Sequence, residues 1–266
     1  MFLDKEFFER NGFTIEVEVT PYCNFACGYC ENSCDSIKWD RFDGKPGINI
    51  DFKSLLQFIR KIKADRLTVL LNGGEPTLHP GLVDFCGNVA GTENLTVMLC
   101  TNMSAPADMY KTLQRYGVKL LPTYHEERFT VDGFSGKLEG LDVLNVLVPC
   151  TKENIADIDR IAGRFPFLKL MLLENQSISP GEVNALAAVD PGVLKQYRML
   201  LNARSKTPRL CNGGRKYLSV GGNGDVYRCM FLQDDSVLGN IKDAGLSVDL
   251  GKFGAVCGNG YCFYEF

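Results

Sequence analysis

Cys23, Cys27 and Cys30 stand in a CxxxCxxC spacing just after a short alternating stretch, and Gly73-Gly74-Glu75-Pro76 follows downstream. Three thiolates on one loop can hold three irons of a cubane 4Fe-4S cluster and leave the fourth iron open. An open iron can bind and split a substrate or cofactor. The same thiols have two other uses, a structural zinc site and half of a disulfide framework. Structural zinc is usually closed by four ligands in paired spacings. Here the nearest fourth thiol, Cys34, would have to wrap back within a turn or two, and His79 and His125 are the only histidines. A disulfide framework belongs to an oxidising compartment. Met1-Phe2-Leu3-Asp4-Lys5-Glu6 lacks the basic and apolar stretches of a signal peptide, and no run of about eighteen apolar residues is present to span a membrane. The cysteines therefore read as reduced ligands in a cytoplasmic protein.

A chain of 266 residues is one large domain or a barrel with a small appendage, and it can bury a substantial core. A hydrophobic fraction of 45% and a charged fraction of 23% are ordinary for a globular protein. The net charge of −3 argues against general nucleic-acid binding. Eleven cysteines exceed what a cytosolic protein without metal needs.

The elements that position the thiols follow from periodicity. Residues 14–20 alternate strictly, with Ile15, Val17 and Val19 on one face and Glu16 and Glu18 on the other. The acidic face either lines a wet cavity or lies on a solvated edge strand. Asp51 to Ala64 reads as an amphipathic helix behind an Asp N-cap. Strand Leu67–Leu71, helix 81–90, strand Leu95–Cys100, helix 105–116 and strand Val118–Pro122 follow, then strand Val143–Val148, helix Glu153–Arg164 and strand Leu168–Leu173. Val131 to Leu141, rich in glycine and charge, reads as a loop. Alternation of this kind demands a parallel sheet with right-handed crossovers, and barrels place chemistry on the loops after the strands.

The triad, with Tyr29 before its last cysteine, and the GGEP turn resemble the radical S-adenosylmethionine (radical SAM) superfamily. The resemblance implies that Cys23, Cys27 and Cys30 ligate a SAM-binding 4Fe-4S cluster. It also implies that Tyr29 contacts the adenine, that Gly73 and Gly74 allow close approach to the methionine part, that Glu75 accepts from its ammonium, and that Pro76 belongs to the same cofactor-binding turn. The family often has Thr-Asn-Gly after the third strand. Here the run is Thr101-Asn102-Met103, which puts the sharp turn at Asn102 in question. Thr123 is the candidate ribose contact. The implied fold is a partial (β/α)6 TIM-like barrel over residues 13–176, after an N-terminal extension at 1–12.

A linker or helical segment at 177–206 leads to a tail at 207–266. In it Cys211, a strand from Tyr217, the turn Gly221-Gly222-Asn223-Gly224 and a returning strand to Cys229 precede a short helical stretch and Cys257 and Cys262. This tail resembles the twitch or SPASM-like auxiliary-cluster extension of the same superfamily, a small β-hairpin plus helix domain. Cys211, Cys229, Cys257 and Cys262 would close an auxiliary 4Fe-4S cluster, although a zinc ribbon explains the same four thiolates. Such a cluster can accept the electron left when a hydrogen-abstracted substrate becomes two electrons more oxidised.

Four thiols remain outside these sites. Cys86 lies in a helical apolar pattern and reads as core, while Cys100 and Cys150 at strand ends are candidate hydrogen-atom donors. Tyr124-His125-Glu126-Glu127-Arg128 is the densest polar group after a strand, and His125 can handle protons near neutral pH. Glu174 and Asn175 are similar candidates, and His79 belongs to the turn before Pro80.

The leading expectation is an oxidoreductase that cleaves SAM to a 5'-deoxyadenosyl radical and abstracts hydrogen from a small-molecule or peptide substrate. Its implied partner is a flavodoxin or ferredoxin-type electron donor. A redox-neutral epimerase with a cysteine hydrogen donor, and a metal-stabilised binding module without catalysis, are the alternatives. The short stretch before the barrel favours a small molecule, or a peptide recognised by a separate protein.

Overall fold

The computed structural model describes residues 12–30, 48–173, 177–203, 209–211, 213, 216–229, 237–246 and 255–257. Strand β1 (Phe13–Thr20) sits between two parallel neighbours, so every residue in it is buried. On one side it pairs with β2 (Leu67–Gly73), with Thr14 opposite Thr68 and Glu18 opposite Asn72. That placement excludes the edge-strand reading of Glu16 and Glu18, which are 6% and 8% exposed. Ile15, Val17 and Val19 are fully buried on the other face, where β-branched side chains pack well on a pleated surface.

The first crossover helix, α1 (Phe52–Lys61), starts at Asp51, whose carboxylate accepts from the Lys53 backbone N–H at 3.0 Å. Phe52, Leu55, Phe58 and Ile59 form its buried stripe, each contributing about 1.5–3 kcal/mol of burial. Helix α2 (Leu82–Val89) leads to β3 (Leu95–Thr101), and α3 (Ala107–Arg115) leads to β4 (Lys119–Pro122). Strands β2, β3 and β4 pair in parallel.

The next crossover corrects the sequence expectation, because the stretch read as a loop contains helix α4 (Val131–Leu138). Thr130 caps it by accepting from the Gly133 N–H, and Val131 and Phe134, three apart, are buried. The cap and this spacing outweigh the two glycines, each of which weakens a helix by roughly 1 kcal/mol. Strand β5 (Val146–Pro149) is shorter than expected, and Val143 makes only an isolated parallel bridge to Leu120. The single helix expected over Glu153–Arg164 is two, α5 (Lys152–Ala156) and α6 (Ile158–Arg164), parted at Asp157 with φ −109° and ψ 18°. Strand β6 (Leu168–Met171) pairs with β5, and a second bridge, Thr123 to Leu147, ties that pair to the end of β4.

Helices α7 (Pro180–Val189) and α8 (Gly192–Ala203) cover the far side of β6. Their side chains stand in for a further strand. Asp190 accepts from the Leu170 N–H at 3.0 Å, and Gln196 accepts from the Leu172 N–H at 2.8 Å while donating to the Leu170 carbonyl at 2.6 Å. The ladder groups on that side of β6 are thereby satisfied without another strand.

Short strand β7 (Arg209–Cys211) precedes β8 (Tyr217–Val220), which joins β1 in parallel on its second side, with Thr14 opposite Tyr217 and Glu16 opposite Ser219. Strands β9 (Asp225–Tyr227) and β10 (Val237–Asn240) extend the same sheet antiparallel, giving the order β10-β9-β8-β1-β2-β3-β4. The glycine turn forms as expected, with Gly224 at φ +90°. Residues 241–246 are turns, and the remainder of the stretch expected to be helical lies outside the described residues. Strand β11 (Ala255–Cys257) pairs antiparallel with β7, with Cys211 opposite Ala255 and Cys257 opposite Arg209.

The core lies between the helices and the face bearing Ile15, Val17, Val69, Leu71 and Leu99. The opposite face carries Glu16, Glu18, Thr68, Asn72 and Cys100 by alternation. Among the described residues no helix is long and apolar enough to cross a membrane.

Candidate active site

The loop after β1 and the turn after β2 are built as one piece. Gly74 N–H donates to the Thr20 carbonyl and Glu75 N–H to the Tyr22 carbonyl, both at 2.7 Å. Gly73 has φ +120°, a conformation that side chains rarely adopt, and a Cβ on Gly74 would run into the Tyr22 backbone. The glycines were expected to make room for a ligand. On this side the room is taken by the chain's own cysteine loop, so they are required by the fold before any ligand binds.

Glu75 is 1% exposed and ties the second and third strand ends together. One oxygen accepts from Thr77 N–H at 3.1 Å, Thr77 hydroxyl at 2.6 Å and Thr101 hydroxyl at 2.9 Å, and the other accepts from Asn102 N–H at 2.7 Å. Burial raises its pKa, and the Asn102, Thr77 and Thr101 donors oppose the rise. Pro76 is buried at the start of the short 3-10 turn Pro76–Leu78 that Glu75 caps. Asn102 holds the cysteine loop from the β3 side, donating to Asn24 at 2.9 Å and approaching the Cys23 sulfur at 3.7 Å. The turn that glycine usually provides forms here with Met103 at φ +59°, its side chain 1% exposed in the core. Burial of that side chain holds methionine in a backbone state that costs roughly 1–2 kcal/mol.

Cys27 is buried, and Cys23 and Cys30 are partly exposed. Phe25 N–H points at the Cys23 sulfur at 3.4 Å. Burial pushes the Cys27 thiol up to about 11, Tyr29 lowers it, and the nearby Glu127, Cys30 and Cys23 charges raise it further. The three thiols thus converge closely enough to act on one another. Among the described residues no three ligating side chains close around a single metal ion. Three thiols on one loop are the donor set of a 4Fe-4S cluster with one iron left open, whereas structural zinc takes four ligands.

The loop after β4 clasps the same loop from the other side. His125 Nδ1 lies 2.6 Å from the Tyr29 hydroxyl and 3.2 Å from the Cys27 sulfur. Glu127 accepts from Gly28 N–H at 3.3 Å, and the Arg128 guanidinium lies over the Phe25 ring at 5.3 Å. Burial, with Arg128 adding to it, lowers His125 to about 4, so the ring is neutral.

Glu16 accepts hydrogen bonds from Asn72 and Tyr217, the second supplied by β8. Asn72, Tyr217, Asn24 and Ser104, whose hydroxyl donates to Asn24 at 3.3 Å, form the site without having been singled out for it in the sequence. Extending the alternation of β2 by one residue would have found Asn72, but no local signal joins Tyr217 to Glu16, 201 residues away.

Cys100 shares the sheet face of Glu16, and burial pushes its thiol to about 12, with the Glu16 and Glu75 charges raising it as well. Burial pushes the Cys150 thiol up to about 12 as well, but Cys150 lies away from that face. It is 1% exposed in the apolar core with Val146 and Val148, so packing accounts for it. Cys86 is core as expected. His79 is structural, accepting from Gly81 N–H at 3.0 Å with its other nitrogen 3.0 Å from the Ile50 carbonyl. Thr123 follows β4 and donates its N–H to the Thr101 carbonyl at 2.8 Å. In the tail Cys229 is buried, and the backbones of Cys211 and Cys257 stand two ladder positions apart. Cys34, Cys262, Glu174 and Asn175 lie outside the described residues.

Residues 17–127 match the model of the radical SAM superfamily. A GTP 3',8-cyclase of Clostridium perfringens strain SM101 is 26% identical over 235 residues, covering 78% of this chain and 69% of that one. A GTP 3',8-cyclase of Helicobacter pylori strain J99 is 33% identical over 107 residues, 39% of this chain and 32% of that one. The solved structure of native anSMEcpe with bound AdoMet superposes with a TM-score of 0.59 at 18% identity, over 86% of this chain and 78% of that one. The same protein with AdoMet and Cp18Cys peptide gives 0.60 at 16% identity, over 86% and 77%. At those identities the likeness is one of fold, a mixed α/β architecture with a parallel sheet. Residues 17–127 thus carry the likeness to the radical SAM superfamily domain, a family that implies a 4Fe-4S cluster and SAM.

Proposed function

We propose that the protein is a radical SAM oxidoreductase that abstracts hydrogen from a small-molecule or peptide substrate and passes an electron to an auxiliary 4Fe-4S cluster. In this reading the fold is a partial (β/α)6 barrel. Cys23, Cys27 and Cys30 hold the first cluster, and Cys211, Cys229, Cys257 and Cys262 hold the second. When bound, the clusters and SAM supply a 5'-deoxyadenosyl radical and an acceptor for the electron left on the substrate.

The chain's own contribution is placement. Gly73 and Gly74 fix the cysteine loop on the strand ends, Glu75 and Asn102 orient the methionine end of SAM, and Tyr29 and Thr123 take the adenine and ribose. The observation that carries this reading is the lock formed by Gly74 to Thr20, Glu75 to Tyr22 and Asn102 to Asn24. It rigidifies a half-open thiol loop where a site needs pre-organisation. Anaerobic reconstitution tests it. We expect about eight irons per chain and reductant-dependent 5'-deoxyadenosine, both reduced in Cys27→Ala, the second to zero. Tetrahedral zinc without SAM cleavage would instead support a binding module. GTP is the first substrate to try, because relatives named for it align over 78% of this chain.

A second reading, a redox-neutral epimerase, is favoured by one observation. Cys100 lies on the sheet face that carries Glu16, Glu18 and Asn72, whereas Cys150 packs in the apolar core, and a thiol on that face can return a hydrogen atom. Solvent deuterium incorporated into a product of unchanged composition, and lost in Cys100→Ala but not Cys150→Ala, would select it over the oxidoreductase.

A further inference from the structure

Cys27 is the most enclosed of the three loop cysteines, at 2% exposure, and the side chains of its loop neighbour Tyr29 and of His125, 98 residues away, meet at its sulfur. His125 Nδ1 lies 3.2 Å from that sulfur and 2.6 Å from the Tyr29 hydroxyl. The imidazole stacks on the Tyr29 ring at 10° with centroids 6.1 Å apart, and Phe25 closes its edge at 5.5 Å. The histidine is also held through its backbone, its carbonyl accepting from Arg128 and Phe129 N–H at 3.0 Å each. Glu127 on Gly28 and Arg128 over Phe25 fix the approach of the whole loop. His125 therefore has little freedom to turn away from the thiol.

On the reading above, in which Cys27 binds iron, we propose that His125 and the Tyr29 hydroxyl are positioning residues that hydrogen-bond the Cys27 sulfur and raise the reduction potential of the N-terminal cluster. An iron-bound sulfur carries no proton and can only accept. With the proton on Nδ1 the imidazole donates towards that sulfur, and the Tyr29 hydroxyl, 2.6 Å from Nδ1, turns its own O–H to the same sulfur. An entering electron adds negative charge to the sulfurs, so N–H and O–H donors aimed at one of them stabilise the reduced state more than the oxidised state. Enclosure strengthens the effect, since little water is present to screen it. Cys23 has its own donors in Phe25 N–H and, at longer range, Asn102. The His125 and Tyr29 donors are ones that substitution can remove without touching the backbone.

The test is a redox titration of the reconstituted full-length protein, following the electron paramagnetic resonance signal that changes when SAM is added. His125→Phe and Tyr29→Phe should each make the reduction equilibrium about tenfold less favourable, a shift of about 59 mV to more negative potential for a one-electron couple. His125→Asn, whose amide nitrogen falls near the place of Nδ1, should stay within about threefold of the parent. Unchanged potentials in both phenylalanine variants at parental iron content would overturn the proposal, as would His125→Asn falling as far as His125→Phe. Should His125→Phe take up no iron, Tyr29→Phe decides, because it keeps the ring and removes only the hydroxyl. A parent protein with no SAM-responsive iron would overturn the ligand reading first and this inference with it.

Discussion

Met103 offers a test in which the usual order of two substitutions reverses. Its φ of +59° is left-handed, its side chain is 1% exposed in the core, and its N–H donates to the Thr101 hydroxyl at 3.1 Å. Removing a buried methionine side chain costs about 2–5 kcal/mol. Met103→Ala suffers that loss and keeps the left-handed strain of about 1–2 kcal/mol, because alanine still has a Cβ. Met103→Gly suffers the same loss and sheds the strain, set against about 0.5–1 kcal/mol of extra chain entropy in the unfolded state. Both variants should therefore be less stable than the parent by about 2–4 kcal/mol, with glycine ahead of alanine by roughly 0.5–1 kcal/mol. At an ordinary buried position alanine would lead. The assay is equilibrium urea unfolding followed by circular dichroism, read from midpoints at equal m. Alanine equal to or better than glycine would show that the backbone at 103 carries no left-handed strain, and the account of how this turn survives without glycine would fail. Asn102 keeps its N–H bond to Glu75 in either variant, so iron uptake should fall less than stability does.

Gly74→Ala should loosen the cysteine loop, since the new Cβ meets the Tyr22 backbone, and iron per chain after reconstitution should fall by about half. Glu75→Gln turns an amide N–H2 toward the Asn102 or Thr101 and Thr77 donors and should destabilise by about 1–3 kcal/mol in the same unfolding assay; a neutral result would mean that those donors find other partners. Asp51 accepts from the Ser54 hydroxyl at 2.6 Å and the Lys53 N–H, and these bonds, the Ser54 one foremost, hold its carboxyl below the ordinary value of 3.8. A lowered folded pKa means stability that is complete above 3.8 and lost as pH falls through the folded value. Asp51→Ala should thus cost about 1 kcal/mol at neutral pH and progressively less in acid below that value, and an equal cost at both ends would refute the cap.

Much of the candidate site was legible because its signals are local. The CxxxCxxC spacing, the GGEP turn, the alternation of residues 14–20, the Asp51 cap and the glycine hairpin at 221–224 each rest on a handful of consecutive residues. Sterics and backbone hydrogen bonding act directly at that range. The loop reading of Val131 to Leu141 failed because composition was weighed above the Thr130 cap and the Val131, Phe134 spacing. The readings of Cys100 and Cys150 stayed level because alternation says that two faces exist without saying which is inside.

The sequence by itself determined which residues could bind metal and which loops carry them. Tertiary structure alone decided that Glu16 and Glu18 face a closed interior, that β8 brings Tyr217 onto Glu16, and that Cys150 packs in the core. It also decided that His125 reaches Cys27 across 98 residues of chain. Those pairings are set by which strands lie side by side and by what must be buried together. Both are properties of the whole folded chain, and no local period or propensity encodes them.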